Sequence, residues 1–572
     1  MKHTLAPLVA AIAFALAGVT AHAAPDEGSA AEAISSTVLP EQELTADTLF
    51  LILLGEIAGN RGDLPVSAEA YLYAAEQTQD PRIARRATEI ALAARDLETA
   101  AAAARIWRDT DPNSADARRM LAGILAARGE QMNEVKIELA RILAHSEGPR
   151  LEQNLLGLNR ALAPMPDKQL VRSIVERLTR PYLQHPAAHL AIAQAAAHDN
   201  DGLAALNAAD HALQLRPDWE PAVVLKAQLL VQLDAVQDAL ALLRDHLSRH
   251  PDNRNAGIAY ARGLVANDEY ENALNAFQQL LEGEPHNADL MYAVAIVAAQ
   301  LGYGAIASTH FEQALTAGHP EQDSILMNLG RIAEIEQRKS EALHWYRQVP
   351  AGAYHVDAQL RIAHLLALSG ELEAARALLE EIEVPPEEQR RLLLAEILVL
   401  REAGDHAGAL GLVESALLET PEDPDLLYEA GMLAEHIDAL PRMERHLRRL
   451  IELDPDHAHA YNALGYSLAD RGLRLDEAEA LLSQALELAP DDPFILDSMG
   501  WVRFRRDDPS GALQYLERAY ALRPDPEIAA HLSEVLWALN RRKEALDMLQ
   551  RSLLEAPEHP VLIETLQRLH SK

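Results

Sequence analysis

The chain has 572 residues, with 51 basic against 87 acidic residues and a formal net charge of −36 at pH 7. It contains no cysteine, and 49% of its residues are hydrophobic while only 4% are aromatic. This composition excludes a disulfide-stapled scaffold, zinc ribbons, iron–sulfur clusters and thiol catalysis, opposes tracking of nucleic-acid phosphates, and favours many small helices rich in Ala and Leu.

Lys2 and His3 precede an apolar stretch from Leu5 to Val19, and Ala21-His22-Ala23 places small residues three back and one back from a cut before Ala24. This three-part pattern predicts a signal peptide over 1–23, hence export and a soluble periplasmic mature chain. The apolar run falls short of the roughly 20 residues that a membrane span needs. With no cysteine at the cut, no lipid anchor is expected. Residues 24–44 are rich in Ala, Glu and Ser without apolar periodicity, which predicts a flexible leader. A helix from Thr45 follows, carrying Leu49, Phe50, Leu51, Ile52, Leu53, Leu54 and Ile57. Being apolar nearly all round, it reads as a buried N-terminal cap, with a partner or membrane contact as the alternative. Ala68 with Leu72 and Ala75, then Ala100 with Pro112, then the stretch from Asn113 to Ala144, read as degenerate repeats over 45–144. Pro149, Pro164, Pro166, Pro181 and Pro186 crowd the next stretch, so 145–186 reads as an irregular helical connector or hinge.

From there a 34-residue period runs to the end. Alanine recurs at Ala205, Ala239, Ala273, Ala307, Ala342, Ala375, Ala409, Ala478, Ala512 and Ala545, with Met443 on the one missing beat. Proline keeps the same time at Pro217, Pro251, Pro285, Pro421, Pro455, Pro490, Pro524 and Pro557. In the unit starting at Pro493, the residues Leu496, Met499, Gly500, Ala512, Leu516, Ala519 and Pro524 occupy repeat positions 4, 7, 8, 20, 24, 27 and 32. These match the tetratricopeptide-repeat (TPR) consensus of two antiparallel helices. Gly or Ala at positions 8 and 20 lets the helices approach closely, and large residues at 4, 7 and 24 fill the space between neighbours. Asp423-Pro424, Asp492-Pro493 and Asp525-Pro526 offer an Asp cap followed by Pro in the first turn, and Asp507-Asp508 reads as a capping pair between helices. Eleven repeats are predicted over 187–557, followed by a capping helix over 558–572 with Val561, Leu562, Leu566 and Leu569 at helical spacing. The predicted fold is all-α, a right-handed superhelical solenoid of TPR helix-turn-helix repeats whose stacked pairs share one core.

The sequence carries no GxGxxG, Walker loop, HExxH or GxSxG pattern. His185 and His189 are four apart, as are His246 and His250, while His457 and His459 lie close together. None has an evident third and fourth ligand, so these read as surface histidines, and no metal, cofactor or catalytic site is predicted. A helical solenoid binds with its inner face, lined by the first helix of each repeat at positions 2, 5, 9 and 12. Near the C-terminus these positions hold Tyr428, Asn462, Tyr466, Phe494, Asp497, Trp501, Phe504 and Trp537. Six of the chain's six Phe, five Trp and fourteen Tyr residues thus fall on one strip. Aromatic anchors among polar groups suit a protein-binding groove. Tyr428, Asn462, Tyr466, Phe494, Asp497 and Trp501 are the candidate groove residues, with Phe504 and Trp537 equally suited to the helix core. Replacing Trp501 and Phe494 by Ala is expected to weaken partner binding and leave folding intact.

The phrases ALGYSLADR, DSMGWVRFR and IAAHLSEVLWAL, and the N-terminal phrase LFLILLGEIAGNRGDLPVSAEAYLYAAEQTQDPRIARRATEIAL, resemble a family of long Gram-negative TPR proteins. Its better-understood members are outer-membrane lipoproteins, from which this sequence departs in lacking a lipobox cysteine. The resemblance implies an adaptor that binds and activates a periplasmic carboxyl-terminal processing protease and helps deliver cell-wall hydrolases to it. No partner-contact residue carries over from that family. The alternative is an assembly scaffold for polysaccharide export or envelope secretion; an enzyme built on the solenoid is a third class.

Overall fold

A computed structural model describes residues 45–129 and 132–570, so the expectations for the signal peptide and leader lie outside the described residues. Among the described residues the secondary structure is entirely helical, with α-helices and two single 3₁₀ turns. Three helix pairs come first among the described residues, Ala46–Asn60 with Leu64–Thr78, Pro81–Ala93 with Leu97–Thr110, and Ala115–Arg128 with Met132–Ala144. The stretch that loses the sequence period holds Gly148–Leu156, the five-residue helix Leu158–Leu162, Lys168–Thr179 and the turn Arg180–Tyr182. Eleven successive pairs follow among the described residues, from Pro186–His198 with Gly202–Leu215 to Pro526–Ala538 with Arg542–Glu555, and Pro560–His570 closes the series. The chain forms two compact units that meet in sequence at Ile325 and Leu326.

The periodic residues explain the pairing. All ten clock alanines are 0% exposed, and Met443, on the missing beat, is 1% exposed. The glycine at position 8 sits where a side chain would not fit. A Cβ on Gly465 would lie 2.7 Å from Leu482 Cγ, and one on Gly500 would lie 2.6 Å from Leu516 Cγ. Asp423, Asp492 and Asp525 each cap a helix that begins with Pro, accepting hydrogen bonds from backbone N–H groups at 2.9 to 3.1 Å. Asp508 is also a cap, accepting from Gly511 N at 2.9 Å, but its neighbour Asp507 is not. Asp507 takes the left-handed conformation with φ of 63° in the tight turn between the two helices of its pair.

That turn carries a second periodic signal. Asn200, Asp234, Asp268, Gly302, Gly370, Gly404, Asp438, Gly472, Asp507 and Asn540 all have positive φ, as does Gln337 on the remaining beat. Gly, Asn and Asp bear this conformation at least cost, so the turn selects them at the same 34-residue interval.

Two features of the N-terminal unit depart from the sequence pattern. The Ala46–Asn60 helix buries Thr48, Gly55 and Ala58, with Ser67 Oγ donating to the Gly55 carbonyl at 2.7 Å. Its Leu49, Phe50, Leu53 and Ile57 side chains face outward, Phe50 being 63% exposed. The expected buried cap is therefore covered on one side only. The small residues form the packed face because the Tyr71 ring lies against Gly55, 2.7 Å from where a Cβ would be. Glu138 is the other feature, a carboxylate 1% exposed that meets Arg108 at 3.2 Å, Arg118 at 3.4 Å and Arg141 at 3.5 Å. Among the described residues no helix is long and apolar enough to cross a membrane.

Candidate protein-binding face

The strip singled out from the sequence lies in the C-terminal unit on four first helices, Pro424–His436, Ala458–Asp470, Pro493–Arg505 and Pro526–Ala538. The glycine contacts hold the two helices of each pair together, and successive first helices lie against one another. Phe494 is the open member of the strip. It is 41% exposed in the first turn of its helix, and the Arg523 guanidinium lies 4.9 Å from its ring centroid. Tyr428 is half-buried beside the His457 ring at 5.3 Å, and burial raises its phenol pKa. Asn462 is half-buried, and its Oδ1 is enclosed without a hydrogen-bond partner. Tyr466 is half-buried; burial first, then the carboxylates of Asp470, Asp497, Glu527 and Glu435, push its phenol pKa far up.

Trp501 and Asp497 correct the expectation of an open groove. Each is 6% exposed. The Trp501 ring stacks on His531 at 4.1 Å and its Nε1 donates to Asp470 Oδ1 at 3.1 Å. Asp497 faces His531 Nδ1 with its oxygens at 3.0 and 2.9 Å. These contacts join three successive first helices, and Tyr466 lies 6.1 Å from the same imidazole. An indole and a carboxylate that match one buried imidazole gain more from that contact than from solvent, so the pair belongs to the interior of the stack. Phe504 and Trp537 are half-buried and pack on the hydrophobic core.

His531 is the residue that the sequence reading missed. It sits one place from the repeat positions used to define the strip, so its only advance signal was an Asp–His spacing equal to the repeat length. Burial alone would depress its pKa. The charge and hydrogen bond of Asp497 outweigh this, with help from Glu534 and Glu527, and the imidazole pKa is raised above its ordinary value. The pair is a buried, hydrogen-bonded contact between neighbouring repeats.

A histidine pair also gains a neighbour. Ligand atoms of Asp218, His246 and His250 lie within 4.8 Å of one another, a third group that spacing alone did not reveal. Other partners compete for them, since Asp218 pairs with Arg249 and His246 Nε2 takes a 3.3 Å contact from Asn253 Nδ2. Burial and the neighbouring His250 both lower the His246 pKa.

Comparison with known proteins places these observations. The tetratricopeptide repeat family matches residues 258–303, 304–355 and 444–493, and a second set of that repeat matches 503–569. Over 524 residues the chain is 31% identical to a TPR repeat-containing protein of Pseudomonas aeruginosa, covering 90% of this chain and 87% of that protein. It is 26% identical over 317 residues to the cellulose synthase 2 operon protein C of Komagataeibacter xylinus, covering 52% of this chain and 22% of that protein. Among solved structures, the APC/C hetero-tetramer Cut9-Hcn1 aligns at 17% identity and a TM-score of 0.31, over 86% of this chain and 97% of that one. A thermophilic TPR protein of Thermus thermophilus aligns at 25% identity and a TM-score of 0.29, over 32% of this chain and 97% of that one.

Proposed function

Because the chain belongs to the tetratricopeptide repeat family, we propose that it is a non-catalytic scaffold that holds protein partners on its stacked helix pairs. The observation that carries this reading is the strip of Phe494, Tyr466, Asn462 and Tyr428. It offers an exposed aromatic ring beside an arginine, two half-buried phenols and an amide oxygen without a partner. A bound N–H donor reaching Asn462 after rotation of its amide would relieve a cost of about 1–3 kcal/mol. Aromatic and arginine anchors of this kind supply much of the binding energy at protein interfaces.

In the finer form of the reading, residues 1–23 direct export, the mature chain works in the periplasm, and the partners are a carboxyl-terminal processing protease and cell-wall hydrolases. The scaffold then acts by approximation: holding protease and substrate on one chain raises their effective concentration. Crosslinking of the full-length protein in intact cells, with mass spectrometry of the products, tests both levels. Recovery of a processing protease that falls in the Phe494→Ala variant is expected. Repeated recovery of other proteins and never a protease would remove the adaptor reading and keep the scaffold. The similarity to the cellulose synthase 2 operon protein C supports the second reading, a scaffold for polysaccharide export. A gene neighbourhood of glycosyltransferase and porin genes would favour it.

A further inference from the structure

The break in the 34-residue period leaves a gap in the N-terminal unit. Two short helices, Gly148–Leu156 and Leu158–Leu162, take the place of a regular repeat after Met132–Ala144. The next helix, Lys168–Thr179, and the turn Arg180–Tyr182 then leave an open groove against Met132–Ala144, with a volume of about 670 Å³. That volume lies within the range of about 300–1,000 Å³ common to ligand sites. Ile137, Ala140, Leu178 and Tyr182 give the groove an apolar lining, and Lys136 and Arg177 also line it. Ile137 is 50% exposed, a large apolar side chain left open at the groove.

The charge here runs against the rest of the molecule. In a chain of net charge −36, residues 168–182 carry four basic side chains, Lys168, Arg172, Arg177 and Arg180, against the single acid Glu176. Among the described residues, three neighbouring carboxylates already have partners. Glu134 pairs with Arg105 and Arg108, Glu138 with Arg108 and Arg118, and Glu176 with Arg172. Lys136 and Arg177 line the groove outside all of these pairs, so the site offers two cations over an apolar floor.

We propose that this groove binds a peptide segment of a partner protein in which apolar side chains are flanked by carboxylates. The apolar floor takes Leu- or Phe-like side chains by burial, and Lys136 and Arg177 select the acidic flanks. The site rests on the scaffold reading and gives it a second surface, in a different unit from the Phe494 strip.

The test selects a phage-displayed random dodecapeptide library on the full-length protein, with counter-selection on the Lys136→Glu/Arg177→Glu double variant. Enriched peptides should combine apolar residues with Asp or Glu. A labelled copy of a recovered peptide should bind at least tenfold more weakly to the double variant and to Ile137→Asp, with unchanged far-UV circular dichroism, and more weakly as salt rises. Enrichment without acidic residues, or equal binding to the charge-reversed variant, overturns the proposal. So does cosedimentation with phosphatidylglycerol vesicles that depends on Lys136 and Arg177 while no peptide is enriched, which would make the groove a lipid site. Leu418→Ala, at an exposed side chain of the other unit, should leave peptide binding unchanged. A protein that binds the peptide but captures no partner in cells would overturn the scaffold reading and leave the groove assignment standing.

Discussion

One substitution, glycine to alanine, should have opposite signs at two helical sites. Gly411 lies in the His406–Glu419 helix, and a Cβ there would meet nothing within 4 Å. Alanine is the better helix former by about 1 kcal/mol, so Gly411→Ala should stabilise by up to that amount. Gly500 lies in the Pro493–Arg505 helix, where the same gain in propensity applies. Its new methyl, however, would sit 2.6 Å from Leu516 Cγ, 3.1 Å from Leu516 Cδ2 and 3.2 Å from the Ala512 carbonyl oxygen. Leu516 is 0% exposed and the carbonyl is backbone, so neither neighbour has room to give. Overpacking of this kind costs about 1–3 kcal/mol, and the added strain of two fully buried contacts puts Gly500→Ala at the upper end. The net effect is then a loss of about 1–2 kcal/mol. Urea titration followed by far-UV circular dichroism reads both signs from the shift in midpoint at constant slope. Hydrogen exchange of the 493–522 pair checks that the loss is local, since long repeat arrays can unfold in parts. Midpoints that move in the same direction for both variants would refute the close-approach explanation of position 8.

Further outcomes follow from three buried groups and from the open Phe494. Trp501→Ala should lower the unfolding free energy by about 3–5 kcal/mol, because a buried stacked indole is lost, whereas Phe494→Ala should stay within about 0.5 kcal/mol and reduce partner capture. Comparable stability losses in the two variants would contradict their different burial. Asp497→Asn should destabilise by about 3–5 kcal/mol at low pH by leaving His531 without its counter-charge. The imidazole pKa is raised in the folded chain, so its contribution is fully present below the unfolded value of about 6.5 and is lost as pH rises through the folded value. The gap between wild type and Asp497→Asn should therefore narrow with increasing pH, and a constant gap in pH-dependent melts would count against a charged pair. Glu138→Ala should cost about 3 kcal/mol, read by thermal melting, because Arg108 and Arg118 lose their buried anion.

Much of this architecture was written in the order of residues. The alanines and prolines at 34-residue intervals mark the helix pairs, because a close helix–helix contact tolerates only small side chains at fixed positions, and those positions are local in sequence. The Asp-Pro caps are legible for the same reason: a cap and the N–H groups it satisfies lie within one turn. The left-handed turn residues from Asn200 to Asn540 came from the structure: Asp507 reads as a cap in the sequence and takes φ of 63° in the fold, and Gln337 bears the same conformation without the usual residue type.

The binding strip was legible only as a set of positions. Repeat arithmetic places Phe494 and Trp501 on the same helix, but it does not say that one ring stands open while the other lies on His531. That difference comes from the next repeat, where a histidine one place off the strip meets Asp497 and Trp501 across the packed helices. The groove between Met132–Ala144 and Lys168–Thr179 has the same origin. Crowded prolines announced an irregular stretch, but a cavity and two cations on its lining depend on how the flanking helices come to rest. Sequence by itself therefore set the repeat, the pairing and the caps, which rest on contacts within one or two helices. Exposure, ion pairing and open space emerged only from tertiary packing, because each is a property of several helices together.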